Sequence, residues 1–190
     1  MSVAVRSRAR LAVVTAGHVA ASSTARLGLL LGEAARERLS ESGVDLEVTH
    51  VELRRTAVDV AQALVTGERS EAVEEALSVV ATADALVIVT PTINASFSGL
   101  LKSFLDLLPP DALRSVPASI AATGGSQRHT LVLDQAVRPM LGFLRAIVLP
   151  QCLFVTADEW DGPRPVAALA ERIDAAAAEL AAFTPVGLKG

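Results

Sequence analysis

Short aliphatic runs alternate along the chain with longer stretches in which apolar residues recur about every 3.6 positions. The runs predict strands from Leu11 to Thr15, Leu46 to Val51, Ala85 to Thr90 and Ala118 to Thr123, with a fifth inside Ile147 to Val155. The periodic stretches predict helices over about Thr24 to Leu39, Glu71 to Ala81, Phe97 to Leu107 and Leu131 to Leu144, and an Ala-rich one from Val166 to Ala182. Ala85-Leu86-Val87-Ile88-Val89 is apolar at every position, as suits a central strand covered on both faces. Alternation of this kind implies an α/β architecture: a doubly wound, five-stranded parallel sheet between helix layers, its crossovers right-handed. The stretch Asp158 to Pro165, with Gly162, Pro163 and Pro165, reads as a loop before the last helix rather than a boundary. Residues 1–190 are therefore expected to form a single domain, with tails at 1–9 and 184–190.

Open parallel sheets bind ligands at the carboxyl ends of their strands, near the switch in strand order. That rule selects the loops after Thr15, Thr90 and Thr123. The first, Thr15-Ala16-Gly17-His18-Val19-Ala20-Ala21-Ser22-Ser23-Thr24, runs into a helix with Arg26 in its first turn. Hydroxyls and N–H groups at a helix N-terminus suit a phosphate; capping by Ser22 or Ser23 is the alternative. Three hydroxyl residues in a row exceed what a cap needs and favour the phosphate. No Gly-x-Gly-x-x-Gly or Gly-Lys-Ser/Thr follows the strand, which disfavours a Rossmann dinucleotide site and an NTPase. A hydroxyl-rich loop without lysine better suits a mononucleotide monoester.

The second loop contains Pro91, Thr92, Ile93, Asn94, Ala95, Ser96 and Phe97. Its backbone amides and Asn94 suit the polar edge of a planar ring, with Ile93 or Phe97 against the ring's face; an ordinary strand-to-helix turn is the competing reading. The third, Thr123-Gly124-Gly125-Ser126-Gln127-Arg128-His129, pairs two glycines that let backbone approach a ligand. It reads equally as a connection in which Ser126 caps the next helix, and His129 as a ligand contact or a helix-start residue. The three loops share one edge of the sheet, and together they argue for a site more strongly than any one alone.

Composition narrows the classes. Hydrophobic residues at 51% exclude disorder, and 17 basic against 21 acidic residues give a formal charge of −4, which provides no field for gathering nucleic acid or anionic lipid. The lone Cys152 cannot form an internal disulfide and lies in an apolar run, as a buried inert thiol would. His18, His50 and His129 lack metal-ligand spacing. Arg6, Arg8 and Arg10 before Leu11-Ala12-Val13-Val14 imitate a secretory signal, but Gly17 and His18 interrupt it and a first core strand explains the run. No apolar stretch is long enough to span a bilayer, and a cytoplasmic location is expected.

The stretch Pro91 to Pro109, with Asn94-Ala95-Ser96-Phe97-Ser98-Gly99-Leu100-Leu101-Lys102-Ser103-Phe104-Leu105-Asp106 at its heart, resembles the NAD(P)H-dependent FMN reductases of two-component flavin monooxygenase systems. Ala122-Thr123-Gly124-Gly125-Ser126, His129 and Leu133-Asp134-Gln135-Ala136-Val137-Arg138-Pro139 carry the same likeness, closest to alkanesulfonate-system reductases and those serving luciferase-like monooxygenases. The resemblance implies a flavodoxin-like αβα sandwich. It also implies FMN with NADH or NADPH as hydride donor, homodimers or homotetramers, and reduced FMN as product for a partner monooxygenase. It assigns the FMN phosphate to Ser22, Ser23 and Thr24 beside Gly17, lays 91–97 along the ring, and closes the other side with Thr123, Gly124, Gly125 and Ser126. Hydride transfer needs no protein base, and neither a catalytic acid or base nor a metal is assigned. Departures are Ile93 and Phe97 where relatives carry aromatics, commonly Tyr at the latter. In some relatives that Tyr lies in a π-bulge. Ala25 also intervenes before Arg26, where relatives place arginine directly after the threonine. Rival readings are a quinone or azo reductase retaining FMN, a flavodoxin-type carrier, and a subunit that binds FMN without turnover.

Overall fold

In β3 (Ala85–Ile93), Ala85, Val87 and Val89 pack into one apolar cluster while Leu86 and Ile88 pack into another, so the strand is covered on both faces. This period-2 division recurs in β1 (Arg8–Thr15), where Leu11 and Val13 face one way and Ala12 and Val14 the other. The computed structural model describes residues 8–184. Its remaining strands are β2 (Asp45–Glu52), β4 (Ser96–Phe97), β5 (Pro117–Thr123), β6 (Ile147–Val155), β7 (Trp160–Asp161) and β8 (Arg164–Pro165). Five of them run parallel in the order β2-β1-β3-β5-β6, the expected doubly wound, flavodoxin-like sheet. One face carries α1 (Ser23–Glu41) and α6 (Ala167–Phe183). The other carries α2 (Ala57–Thr66), α3 (Glu71–Ala81), α4 (Gly99–Leu105) and α5 (Arg138–Phe143). Each fully covered Leu, Ile or Val contributes about 1.5–3 kcal/mol, and both layers are built from such residues.

Gly28 and Gly32 bring α1 close to the sheet. A Cβ at Gly28 would lie 2.6 Å from Thr15 Cγ2, and one at Gly32 would lie 3.1 Å from Val13 Cγ2. That approach sets the start of α1 directly over the end of β1.

Several expectations are corrected. Arg8 and Ala9, assigned to a tail, belong to β1, and Ala9 is buried. Thr184 is also buried, its hydroxyl donating to the Leu180 carbonyl; the rest of both proposed tails lies outside the described residues. Helix α2 has no counterpart in the pattern because only Val60 and Ala63 are buried while Val58, Leu64 and Val65 face outward, which blurs the period. The helix expected from Phe97 begins at Gly99, because Phe97 pairs with Thr92 in an antiparallel β3–β4 hairpin. The helix expected from Leu131 to Leu144 opens with a π-helical turn at Leu133–Val137, in which the Arg138 N–H reaches the Leu133 carbonyl. Pro139 has no N–H to give Gln135, and the wider turn ends where that bond would have formed. The π turn thus lies in this stretch and not at Phe97.

Candidate functional site

The loop after β1 folds back tightly onto the start of α1. A Cβ at Gly17 would sit 2.5 Å from Ser22 Oγ, so a larger residue here would displace the Ser22 hydroxyl from its capping position. Ser22 is the N-cap: its hydroxyl accepts the Ala25 N–H at 3.1 Å and its carbonyl accepts the Arg26 N–H at 3.0 Å. The first N–H groups of a helix have no partner within it. Those of Ser23 and Thr24 find no other acceptor among the described residues. No acidic residue occupies the first turn of α1, whereas α3 carries Glu71 and Glu74 there. The positive end of the α1 dipole is therefore unopposed by its own turn, an arrangement that fits a phosphate.

The three hydroxyls of this loop have separate tasks. Ser22 caps, as the bland reading had it. Ser23 is exposed. Thr24 is buried and its Oγ1 lies 2.7 Å from Oγ1 of Thr123, which joins the first loop to the third.

The second loop is a hairpin and not a plain strand-to-helix turn. Ile93 and Ser96 are paired, and Asn94 and Ala95 between them take φ values of +48° and +66°. Two left-handed residues in a two-residue connection make the turn whose twist matches its strands. Asn tolerates this backbone, but Ala does not readily, so Ala95 is strained. Pro91 and Thr92 lie at the end of β3, and the Thr92 hydroxyl is buried with no hydrogen-bond partner in the chain. Ile93 is 39% exposed, whereas Phe97 is half-buried against the core. Behind the hairpin, Ser98 caps α4 by accepting the Leu100 N–H at 3.2 Å. Its own N–H donates to Thr90 Oγ1 at 2.9 Å. His18 Nε2 and Ser98 Oγ share a 3.0 Å hydrogen bond, which ties the first loop to the second.

In the third loop Thr123 ends β5, and the Gly124 N–H donates to the Val155 carbonyl at 3.0 Å. A Cβ at Gly124 would lie 2.6 Å from Phe154 Cζ, so the backbone here meets the edge of the ring at its tip; the space around Gly125 is open. Ser126 accepts the Arg128 N–H and caps the short 3-10 turn Gln127–His129. All three loops thus meet at one sheet edge, linked by Thr24–Thr123 and His18–Ser98. Sequence reading chose the loops and missed these cross-links, because each joins residues about 80 or more positions apart.

Two other residues resolve as well. Arg26 turns away from the loop: its guanidinium donates to the Gly162 carbonyl at 2.9 Å and stacks 5.1 Å from the centre of the Trp160 ring. Cys152 is half-buried, and burial followed by the nearby Asp134 carboxylate pushes its thiol up, away from the reactive thiolate.

A parallel sheet in the order β2-β1-β3-β5-β6, with three strand-end loops gathered at one edge and a helix N-terminus free of acidic residues among them, defines a protein of the flavodoxin-like class. The model of the NADPH-dependent FMN reductase family matches residues 10–161. The chain is 43% identical over 150 residues to the NADH-dependent FMN reductase SfnE of Pseudomonas putida, spanning 78% of this chain and 80% of that protein. It is 33% identical over 138 residues to an FMN reductase (NADPH) of Pseudomonas aeruginosa, spanning 73% and 74%. An oxidoreductase structure from Corynebacterium diphtheriae superposes with a TM-score of 0.87 at 40% identity, over 93% of this chain and 97% of that one. The chain belongs to the NADPH-dependent FMN reductase family. It is an NAD(P)H:FMN oxidoreductase, with FMN and a reduced nicotinamide as its cofactors. No described helix is long and apolar enough to cross a membrane.

Proposed function

We propose that FMN is reduced at the three-loop edge, with its phosphate at the start of α1 and its ring between the β3–β4 hairpin and the loop of Thr123 to Ser126. The observation that carries this reading is the pair of unclaimed Ser23 and Thr24 N–H groups at a helix start without acidic residues. Gly17 and Ser22 shape that cradle, and Ser23 offers a further hydroxyl. Pro91 and Thr92 position the hairpin, while Ile93, Asn94, Ala95 and Ser96 present its tip and Phe97 anchors it to the core. Bound FMN supplies the hydride chemistry. The chain binds and orients it and needs no acid or base of its own.

Ile93 at the exposed tip offers no aromatic stacking, a loss of about 0.5–1.5 kcal/mol against a ring. FMN then exchanges readily, as suits a reductase that hands reduced flavin to a partner monooxygenase. The protein works as a homo-oligomer in the cytoplasm. The first support is Phe143, a large aromatic left 72% exposed beside Leu105, Leu108 and Met140. The helix α4 gives less support, because its Leu101, Phe104 and Leu105, with Leu108 just beyond it, are buried in this chain's own core.

Ser23 provides the clean test because Ser22 and Thr24 hold structure. Ser23→Asp puts a carboxylate at the phosphate position and should weaken FMN by at least about 1.5–3 kcal/mol, the value of a charge-assisted hydrogen bond. Riboflavin, which has no phosphate, should bind almost unchanged in the same fluorescence titration. Equal losses for both ligands would remove the phosphate from this site.

A further inference from the structure

The end of β2 holds chemistry that FMN alone does not use. Glu52, the last residue of β2, pairs in register with Thr15, the last residue of β1, so its carboxylate stands beside the start of the first loop. Between that strand end and α1 lies a groove of about 320 Å³. Small-molecule sites begin at about that size. Its helix side is lined by Ala21, Ala25 and Leu29 together with Arg26; its strand side presents His50, Glu52 and Arg54. Leu29 is 56% exposed, a large apolar side chain left bare at the groove. The His50 ring lies over Gly32, whose Cβ would approach Cε1 to 3.5 Å. Burial lowers the His50 pKa, with Glu52 opposing, so the ring offers an uncharged aromatic face near neutral pH. Arg54 grips Glu52 through Nε at 3.0 Å and Nη2 at 2.9 Å. The groove continues to Ala21 and Ala25, either side of the α1 start.

We propose that this groove takes the adenosine 5′-phosphate half of a dinucleotide whose other half lies at the three-loop edge. The proposal rests on the reading that a flavin phosphate sits at the α1 N-terminus. Leu29 offers an apolar contact and His50 a flat one for a purine, and Glu52 is placed for ribose hydroxyls. A carboxylate at the end of the second strand of a doubly wound sheet is where a ribose is met in dinucleotide folds. Arg54 balances and orients the carboxylate from the same wall of the groove. The chain has no glycine fingerprint, so the specificity comes from the groove walls and not from the loop.

Two dinucleotides carry this half, FAD and NAD(P)H, and the experiment separates them. Leu29→Glu and Arg54→Ala alter exposed side chains, and melting curves will verify that both variants fold. Kd values for FMN and FAD are measured by flavin fluorescence, and KM for NADH and NADPH with FMN held saturating. If FAD is the occupant, its Kd rises about tenfold or more in both variants while that of FMN stays within about twofold. If the nicotinamide dinucleotide is the occupant, its KM rises and the FAD Kd does not. Unchanged values for both dinucleotides, with FMN binding intact, overturn the proposal. Failure of the unaltered protein to bind FMN would instead overturn the functional reading, and this proposal with it.

Discussion

Thr24 and Thr123 show how much rests on one buried contact, since their shared hydrogen bond closes the first loop onto the third. Replacing either by Val leaves the other hydroxyl buried without a partner, at a cost of about 1–3 kcal/mol. The double variant should cost clearly less than the sum of the two, because the orphan disappears with its partner. Urea unfolding of the four proteins measures this, and strict additivity would mean the bond contributes nothing. His50 gives a pH signature at the same scale. Its pKa in the folded protein lies below the ordinary 6.5, chiefly through burial. The unfolded chain therefore binds the proton more readily, and stability rises with pH in this window. The contribution is complete above about 6.5 and is lost as pH falls from there toward the folded value. His50→Gln should flatten that part of the profile; urea midpoints at pH 7.5 and pH 5.5 that shift equally in both proteins would refute it.

At the scale of elements, the β3–β4 hairpin carries strain where the flavin ring is proposed to lie. Ala95 at φ +66° occupies a backbone region that costs an L-residue roughly 1–2 kcal/mol. Ala95→Gly produces Asn-Gly, the pair this turn prefers, and should stabilise the protein by up to about 1 kcal/mol. Ala95→Val should do the opposite, and thermal melting of both variants checks the order. Relief of strain has a functional counterpart: a glycine at the tip loosens the hairpin that holds Ile93 and Asn94, so FMN affinity should not rise with stability. The β7–β8 hairpin is tied in by different means. Arg26 reaches it from α1 through Gly162 and Trp160, linking the first helix turn to the segment before α6.

At the scale of the whole molecule, a further apolar region lies between α4 and α5. A cavity of about 540 Å³ opens between α4 and α5, with Leu105, Leu108, Met140 and Phe143 among its walls and Lys102 and Asp106 at its rim. Phe143 stands out from it as a bare aromatic. Self-association through this face is the expected use, and a buried aromatic anchor usually dominates such contacts. Phe143→Asp should shift the sedimentation profile at micromolar concentration toward the monomer while leaving FMN affinity intact. An unchanged profile would locate the contact elsewhere.

The sequence by itself determined the layer order and the edge at which the three loops gather, because both follow from short-range patterns. Alternation of aliphatic runs with helical periods dictates a parallel sheet, and turn chemistry at Gly17, Ser22, Pro91, Gly124 and Ser126 marks where the chain reverses. The caps were legible only as alternatives: Ser22 and Ser126 cap their helices, where the sequence left capping beside a ligand role. Other features took the tertiary structure to decide. Whether Thr24 faces a ligand or Thr123 depends on a partner 99 positions away, and whether Arg26 points to the phosphate loop or to Trp160 depends on a hairpin near the other end of the chain. The β3–β4 hairpin escaped the pattern because an Asn-Ala turn carries no glycine to announce it. The groove beside Glu52 escaped because it exists only once α1, brought close by Gly28 and Gly32, lies over the end of β2. Local propensity is encoded over a few residues, whereas a site is made by side chains that only packing brings within hydrogen-bond reach.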